Sequence, residues 1–472
     1  MATIPTQHDP PLAHLWWLAP VWPFVGIVAS TMIAAWLQSD EAFLIYGAPK
    51  YIRTEHLYLA AAVIGMFSLG CYLASGSPAA RASLFLPLLR SRGAHELQAA
   101  DARERTIDTI AYRWFLLATL LTLVGYAAWL AVGLKNGFRP AMFLDILRGS
   151  EEMNGDVLRR DYFPTIPGVT TCTQFGVPAT LLGAWLFLRG QTSILWPLLG
   201  LAGISVLRAI GFNERSALLE LIFPSMFIVM RMWMLGWPMP ARWQQLLRIA
   251  PIVSPILLVL FFGGFEYFRS WRYYQDQFDS YAEFTVWRLS GYFTTAHNNG
   301  AMGYEKGHPR PLPFYVLKPY WEFPLVEHSP FGYEQLTGYK IEEQHMAMLA
   351  NHGTDELNNE GGMFQPTLDL GLAGGLLYWL GYGAVSQLLY RRFVRGTLLG
   401  ITLYPIFYMA LLETPLILFL CHPRIFPALV TLVAVAAHVT WALSSPRETQ
   451  PASELLNRVH AGESSLAAGE RN

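Results

Sequence analysis

Two long apolar blocks of the chain meet within the stretch Gly211-Phe212-Asn213-Glu214-Arg215-Ser216-Ala217-Leu218-Leu219-Glu220, at the turn 211–213. The blocks, 192–210 and 214–235, are each close to the ~20 mostly apolar residues that cross a bilayer. Arg208 and Arg215 flank the turn. A charged side chain at membrane depth is expensive, so these arginines either reach the lipid headgroups or hold an anion at the membrane surface. Asn213 can cap the second helix, whose free N–H groups would then favour the same anion.

The same apolar character runs through the whole chain. Of its 472 residues, 53% are hydrophobic and 14% are charged, whereas about 25% of the residues of a soluble domain are charged. The stretches that qualify as spans are 16–37, 56–76, 110–134, 168–188, 192–210, 214–235, 250–267, 364–389, 397–420 and 425–444. The sequence therefore predicts an all-α, polytopic membrane protein with about ten transmembrane helices.

These spans divide the chain into four parts. Residues 1–267 hold spans one to seven, 268–363 form a large, partly helical extracytoplasmic loop, and 364–444 hold the last three spans. The polar tail 445–472 is predicted to be disordered and cytoplasmic. The ninth span is the weakest, with a broken or re-entrant helix as the alternative, because it is interrupted by Pro405, Glu413 and Pro415.

Several kinds of site are missing from the sequence. Cys71, Cys172 and Cys421 lie far apart and show neither a metal-ligand spacing nor a disulfide framework. The chain contains no nucleotide-binding loop, no dinucleotide fingerprint and no nucleic-acid signature. Residues 1–15 lack the features of a secretory signal peptide. We therefore expect no cofactor, no metal and no nucleic-acid partner, and an uncleaved first span.

Arginine placement orients the spans, because short loops rich in arginine and lysine stay in the cytoplasm. The connection 77–109 and the loops that alternate with it carry Arg81, Arg90, Arg92, Arg103, Arg105, Arg189, Arg242, Arg248, Arg391, Arg392, Arg395 and Arg447. Both termini are therefore predicted to be cytoplasmic. The loop 135–167, the turn 211–213 and the segment 268–363 are predicted to share the outer face.

The loop 135–167 is predicted to lie on the outer face, although it contains several basic residues. Arg159 and Arg160 precede Asp161 and the run Pro164-Thr165-Ile166-Pro167-Gly168. An ordinary solvated loop is one interpretation, and a basic rim for an acidic lipid or glycan is the other.

The first part of the loop 268–363 has a helical pattern. Large apolar residues recur at three- and four-residue spacing from Trp271 to Tyr292. The pattern predicts a helix that packs on the membrane domain or lies in the interface, and that ends at Ala296-His297-Asn298-Asn299-Gly300. Asp276, Asp279 and Glu283 share one face of it and are either a divalent-cation site or, more ordinarily, a solvated face. Its arginines are Arg269, Arg272 and Arg288.

Two further features of this region bear on function. Aromatic residues among prolines between 309 and 333 suit either a sugar-binding surface or a membrane interface. Three carboxylates, Glu220, Asp369 and Glu413, lie at membrane depth, where each is either functional or paired with an arginine of a neighbouring helix.

Four of these features together resemble the O-antigen (Wzy-type) polymerases of bacterial surface polysaccharides. They are the Arg-Ser-Ala-Leu-Leu block at 215–219, the Arg-Arg-Asp…Ile-Pro-Gly run of 159–168, the large outer loop after the seventh span, and the Asp-Leu-Gly-x-x-Gly run of 369–374. The motifs cover roughly 130–380, and the span layout covers the whole chain. The resemblance implies a GT-C-like fold in the bacterial inner membrane, with an active site that faces the periplasm.

The resemblance also implies a reaction between two polyprenyl-diphosphate-linked oligosaccharides. A hydroxyl of the acceptor repeat unit attacks the anomeric carbon of the donor chain, and polyprenyl diphosphate leaves. The implied partners are the lipid-linked donor and acceptor, membrane lipid, a chain-length regulator and a flippase. No nucleotide sugar is needed.

Arginines suit a leaving diphosphate, since their forks bind its oxygens and stay charged. The residues expected to contact it or the rest of the substrate are Arg215 first, then Arg208, Arg272, Arg269 and Arg160, and further Arg159, Arg288 and Asn298. A general base would take the proton of the acceptor hydroxyl. His297 is the first candidate, followed by Asp369 and Glu360.

Other functions stay open at this point. An O-antigen ligase uses the same class of donor but a different acceptor. A flippase or transporter of an anionic lipid-linked glycan would line a path open to both faces, whereas the charges here cluster on one predicted face. A structural or sensor protein with a sugar-binding loop is a further alternative.

Overall fold

The computed structural model describes residues 15–76, 97–147, 155–166, 168–212, 223, 226–231, 233–234, 240–307 and 310–444. Within these ranges every regular element is a helix and no strand occurs, so the predicted all-α class is confirmed. Arg215, Glu220 and the tail 445–472 lie outside the described residues.

Fourteen described α-helices have six or more residues. They are α1 (Val21–Leu37), α2 (Asp40–Ile45), α3 (Thr54–Ala74), α4 (Leu97–Lys135), α5 (Ala141–Leu147), α6 (Gly176–Leu188), α7 (Leu195–Phe212), α8 (Ala241–Arg248), α9 (Ala250–Glu266), α10 (Tyr281–Lys306), α11 (Ile341–His352), α12 (Gln365–Val394), α13 (Leu398–Glu413) and α14 (Phe426–Ser444). The other helical segments are short α-helical, 3₁₀ or π turns: Trp16–Leu18, Gly155–Val157, Leu158–Tyr162, Thr170–Phe175, Thr192–Ile194, Tyr267–Trp271, Arg272–Tyr274, Tyr315–Leu317, Lys318–Trp321, Pro324–Glu327, Tyr333–Thr337, Asp355–Leu357 and Phe419–Cys421.

Seven helical stretches of the described chain are long and apolar enough to cross a membrane. They are Thr54–Ala74, Arg103–Lys135, Thr170–Leu188, Thr192–Phe212, Ala250–Tyr274, Gln365–Val394 and Phe426–Ser444. The apolar helices α1 and α13 are shorter, and the predicted span 214–235 falls mostly outside the described residues. The polytopic architecture is therefore confirmed, but the count of ten is not.

The bundle is centred on the close packing of α3 against α12. A Cβ atom at Gly70 would lie 2.0 Å from the Leu380 carbonyl oxygen, and one at Gly383 would lie 2.0 Å from the Phe67 carbonyl oxygen. Larger residues would force the two helices apart, because the helix backbones touch here. Such small-residue contacts are a usual means of helix association in membranes.

Helix α10 lies across one end of this bundle. It contacts the residues just before α3 through Asn298, the last residue of α9 through Arg288, and the residue before α12 through Gly300. We call this the α10 end. The opposite end joins α8 to the start of α1 through the Trp17 Nε1–Leu247 O hydrogen bond of 3.2 Å.

The helix predicted from Trp271 to Ala296 differs from the observed one. The chain leaves the helix after Tyr274 and starts α10 at Tyr281, because the Ser280 hydroxyl accepts a 3.2 Å hydrogen bond from the Glu283 N–H and caps the new helix. Asp276 and Asp279 precede α10, so the prediction of a shared helical face with Glu283 was wrong.

The predicted end of this helix at 296–300 was also wrong, because α10 continues to Lys306. Its residues Thr294–Gly303 are all buried, so this half is enclosed by other elements and does not lie on a surface. The two asparagines within the predicted helix end, Asn298 and Asn299, bond to neighbouring backbone, as described below.

Helix α12 bends at the glycine of its Asp-Leu-Gly-x-x-Gly run. Gly371 has a φ of 69° and a ψ of 175°, a conformation that glycine alone adopts readily.

The break predicted for the ninth span, 397–420, lies in the second half of that span. Pro405 is inside α13, and the helix ends at Glu413 before a short turn at Phe419–Cys421.

Candidate functional site

A cavity of about 640 Å³ opens at the α10 end, where α9 leaves the predicted membrane region. The helical turns Tyr267–Trp271 and Arg272–Tyr274 extend α9 into one wall, α10 forms another, and the segment after Asp355–Leu357 forms a third. Its lining residues are Arg269, Ser270, Tyr273, Tyr274, Gln277, Arg288, Tyr292, Glu356, Asn358 and Asn359. We call it the arginine cavity. It brings together Arg269 and Arg288, both predicted to bind substrate.

Arg288 is held between two carboxylates. Its Nε lies 3.4 Å from Glu266 Oε2, and its Nη1 lies 2.8 Å from Glu356 Oε1. The side chains of Arg288 and Glu266 are 2% and 0% exposed, whereas that of Glu356 is 44% exposed. Tyr274 donates a short hydrogen bond to the other oxygen of Glu356. Burying Arg288 is tolerated because Glu266 compensates its charge inside the protein.

Arg269 lines the same cavity but, unlike Arg288, is not paired with a carboxylate of the described chain. Its half-buried side chain makes no hydrogen bond or ion pair with any described part of the chain. The guanidinium therefore presents its N–H donors to whatever enters the cavity. An uncompensated arginine fork is the group best suited to bind phosphate oxygens in a bidentate manner.

The third wall is fixed by α10. The Asn299 side-chain amide donates to the carbonyl oxygens of Leu357, at 2.8 Å, and Asn359, at 3.0 Å. The Thr354 hydroxyl accepts a 3.4 Å hydrogen bond from the Glu356 N–H. The segment 354–360, which we call the strap, therefore crosses α10 with its backbone anchored and the Glu356 side chain on the cavity side.

A second cavity of about 290 Å³ also borders the strap. Glu360 lines it and accepts a 2.7 Å hydrogen bond from Gln365 Nε2, while His345 Nε2 lies 3.8 Å from the same carboxylate. Arg310 and Lys306 line it as well. Of the three predicted general bases, Glu360 is the one that borders either of the two cavities.

Asp369 is buried in an ion pair at the start of α12. Its side chain is 0% exposed and accepts hydrogen bonds from Arg310 Nη1, at 3.0 Å, and from the Val316 N–H, at 2.8 Å. The Arg310 guanidinium also lies over the Tyr315 ring, 4.2 Å from its centroid. Asp369 thus ties the segment before α12 to the helix, and its role as a base stays a prediction.

His297 is enclosed within the protein. Its side chain is 0% exposed, and its Nε2 lies 2.9 Å from the Thr31 hydroxyl on α1. Burial lowers the pKa of His297 to about 4, so the ring is neutral at pH 7. It lines neither cavity, so neither of them gives a substrate access to the ring. Its role as a general base stays a prediction.

Asn298 bonds to the loop between α2 and α3. Its Oδ1 accepts from the N–H groups of Tyr51, at 2.6 Å, and Ile52, at 3.3 Å, and its Nδ2 donates to the Pro49 carbonyl at 2.8 Å. The amide is occupied by backbone on both sides. Its predicted contact with substrate therefore stays a prediction.

A second group of predicted arginines belongs to another part of the fold. Arg208 is buried with its guanidinium 5.1 Å from the Trp129 ring centroid, near the small core formed by the 135–166 region against α4 and α7. Arg160 pairs with Asp161 at 2.8 Å on the surface, and Arg159 is also exposed. Arg272, by contrast, belongs to the same end of the molecule as the arginine cavity, where it is exposed beside the cavity without lining it.

The aromatic residues between 309 and 333 divide by burial. Tyr315, Trp321 and Tyr333 pack with Phe314 and Ile341 in a small core, so their ring faces are not free to stack on a sugar. Among the exposed large apolar side chains of this region are Leu317, Tyr320, Phe323, Leu325, Phe331 and Leu336.

One described group of side chains has the composition of a metal site. Glu55, His56 and Glu305 offer ligand atoms within 4.8 Å of one another. However, His56 Nδ1 accepts a 3.1 Å hydrogen bond from the Arg53 N–H, which leaves the proton of the neutral ring on Nε2, and Arg53 also lies 3.6 Å from Glu305. The group is therefore arranged as a helix cap with an ion pair.

Comparisons with known protein families, with curated proteins and with solved structures find no match.

Sequence reasoning missed two of the groups that shape this site. Glu266 is the one acidic residue within the apolar block 250–267, and an isolated carboxylate at the edge of a span is a signal for a charged partner. Arg310, the partner of Asp369, lies in a proline-rich stretch without periodicity. No sequence pattern indicated its pairing.

Proposed function

We propose that the protein is a membrane glycosyltransferase that polymerises polyprenyl-diphosphate-linked oligosaccharides, with the diphosphate bound in the arginine cavity. The observation that carries the proposal is Arg269, an arginine without a described partner that faces a cavity at the end of a candidate span. A lipid-linked diphosphate has its charge at this depth, where its polyprenyl chain enters the hydrocarbon.

In the proposed reaction the acceptor oxygen displaces the diphosphate from the anomeric carbon. The acceptor oxygen forms the new bond to the anomeric carbon, the bond from that carbon to the diphosphate oxygen breaks, and the diphosphate leaves with the electron pair. Arg269 stabilises the charge that develops on the leaving oxygen. A base takes the acceptor proton, and Glu360 is the predicted base that borders a cavity near the strap.

The proposed orientation places the α10 end on the periplasmic side of a bacterial inner membrane. The arginines that the sequence assigns to the cytoplasm support this orientation. Arg391 on α12 donates a 2.8 Å hydrogen bond to the Ala74 carbonyl at the C-terminal end of α3. Arg189 pairs with Glu104, at 2.7 Å, and with Asp108, at 3.2 Å, near the start of the span Arg103–Lys135.

The test uses cells that lack the protein, complemented at matched expression with wild type, Arg269→Ala or Arg242→Ala. The control Arg242 is an exposed arginine on α8, separated from the cavity by α9, which is about 25 Å long. We expect Arg269→Ala to reduce polymerisation about 10- to 100-fold, as loss of a preorganised charged donor does, and Arg242→Ala to leave it unchanged. The readout is the length distribution of surface polysaccharide on a gel.

Each other outcome points to a different function. Lipid-linked polymer that is never joined to its terminal acceptor would identify a ligase. Repeat units that accumulate only on the cytoplasmic side would identify a flippase. Normal polysaccharide in the deletion strain would refute all three functions in that organism.

A further inference from the structure

The arginine cavity contains its own anion. Glu356 lies on the strap with one carboxylate oxygen 2.8 Å from Arg288 Nη1 and the other bonded to Tyr274. A substrate anion that entered the cavity would meet Arg288 already engaged. An anion can therefore contact Arg288 from the cavity only if Glu356 moves.

The summed charge of the site also indicates that Glu356 must leave Arg288 before a diphosphate binds there. Arg269 and Arg288 are opposed by Glu266 and Glu356, so the four groups together carry no net charge. A diphosphate brings at least two negative charges, and the carboxylate of Glu356, which lies 2.8 Å from Arg288 Nη1, repels it. Removal of one carboxylate from Arg288 gives the site the positive charge that a diphosphate needs.

Only one of the two carboxylates is free to leave. Glu266 belongs to α9 and its side chain is 0% exposed, so it could leave Arg288 only if the end of that helix rearranged. Glu356 is 44% exposed and sits on the short turn Asp355–Leu357. Its carboxylate can be rehydrated when it leaves, and the entering anion takes its place as the partner of Arg288, which is itself 2% exposed.

We propose that Glu356 holds the anion position on Arg288 in the empty site and is displaced by the incoming diphosphate. The diphosphate then contacts Arg269 and Arg288 together, while Glu266 remains paired with Arg288 from the buried side. Glu356 thereby acts as a specificity-determining residue, because anions of low charge compete poorly with the carboxylate already in place. This inference rests on the proposed binding of a diphosphate in the arginine cavity.

The experiment measures binding of inorganic pyrophosphate to the purified full-length protein by titration calorimetry. Glu356→Gln keeps the size of the side chain and an acceptor for Tyr274 but removes the charge. We expect it to bind pyrophosphate about tenfold more tightly than wild type, the size expected for removal of one nearby charge. The matched control is Glu283→Gln, which removes an exposed carboxylate of α10 outside the cavity and is expected to leave the affinity unchanged.

Two further arms separate this inference from the proposed function. If Arg269→Ala weakens pyrophosphate binding but Glu356→Gln does not strengthen it, the anion site stands and the displacement of Glu356 is wrong. If neither wild type nor Glu356→Gln binds, both proposals fall. Farnesyl diphosphate, titrated in parallel, should bind more tightly than pyrophosphate. Equal affinity for farnesyl diphosphate and pyrophosphate would be consistent with the displacement of Glu356 but would contradict a lipid-linked substrate.

Hydrogen exchange of the wild-type protein tests the displacement without any substitution. Pyrophosphate should raise deuterium uptake in the strap, 354–360, because Glu356 gives up both of its partners. Protection of the strap by pyrophosphate would show that Glu356 stays in place, and would overturn the inference even if Glu356→Gln proved unstable.

Discussion

The carboxylate of Asp369, at membrane depth, forms an ion pair with Arg310. This pairing gives the charge a structural role. Asp369 was predicted as a functional residue because carboxylates inside spans are rare. In the structure its buried carboxylate receives one arginine N–H and one backbone N–H. These contacts fix the chain just before the bend at Gly371, so the first consequence of losing the pair is structural.

We expect Asp369→Ala to destabilise the protein by about 3 kcal/mol, since it leaves the Arg310 guanidinium and the Val316 N–H without their acceptor. Arg160→Ala, which breaks an exposed ion pair, serves as the control and should leave the melting temperature unchanged. The measurement is thermal unfolding of the detergent-purified protein. Equal melting temperatures for wild type and Asp369→Ala would contradict the prediction.

His297 makes stability depend on pH. Burial lowers its pKa to about 4 in the folded protein from an ordinary value of 6.5. The unfolded chain therefore binds this proton more readily, and the folded state loses stability as the pH falls from 6.5 towards 4. The full effect is about 3 kcal/mol.

The change His297→Gln should remove that part of the pH dependence, because glutamine can still donate to Thr31 but does not titrate. The melting temperatures of wild type and variant are compared between pH 4 and pH 7.5. We expect the wild type to lose more stability than the variant below pH 6.5. Parallel curves would show that His297 does not titrate as a buried, neutral group.

At the scale of elements, α10 organises the site. Asn298 bonds the loop before α3, Asn299 bonds the strap, and Arg288 bonds the end of α9. Close packing allows these contacts. A Cβ atom at Gly300 would lie 2.4 Å from the Phe364 ring, whereas one at Gly303 would meet Leu368 at 3.5 Å, an ordinary contact distance.

These two glycines of α10 give a matched pair of substitutions. Gly300→Ala should destabilise the protein by about 1–3 kcal/mol, because the ring of Phe364 must move. Gly303→Ala should be neutral or stabilising by up to about 1 kcal/mol, since alanine favours the helix. Thermal unfolding of the two variants decides this, and a larger loss for Gly303→Ala would contradict the packing.

At the scale of the whole molecule, the structure separates two ends of the helix bundle. The arginine cavity lies at the α10 end, and α8 lies at the opposite end, beside the start of α1. The proposed periplasmic site requires these two ends to face opposite sides of the membrane.

Cysteine labelling tests this arrangement. Gln277→Cys and Arg242→Cys are placed singly in a background without Cys71, Cys172 and Cys421. Both positions are exposed. A membrane-impermeant maleimide applied to intact spheroplasts should label position 277, and should label position 242 only after lysis. Labelling of both positions before lysis, or of 242 alone, would refute the orientation.

The sequence by itself determined the fold class and the position of most spans, because membrane helices are recognised from local composition. It also indicated Arg269 and Asp369 as charged residues near the ends of spans, and Arg288 and Glu360 as candidates within the outer loop. Charge and hydropathy are properties of single residues and short windows, so they can be read without the fold.

Only the tertiary structure decided which of these charges are engaged. Arg288 is compensated by Glu266 and Glu356, Asp369 by Arg310, and Arg269 by no described group. The sequence separations are large, and the free energy of a charge depends on its burial and on the charges around it. These pairings follow from how α9, α10, the strap and α12 pack at one end of the bundle, which no local pattern specifies.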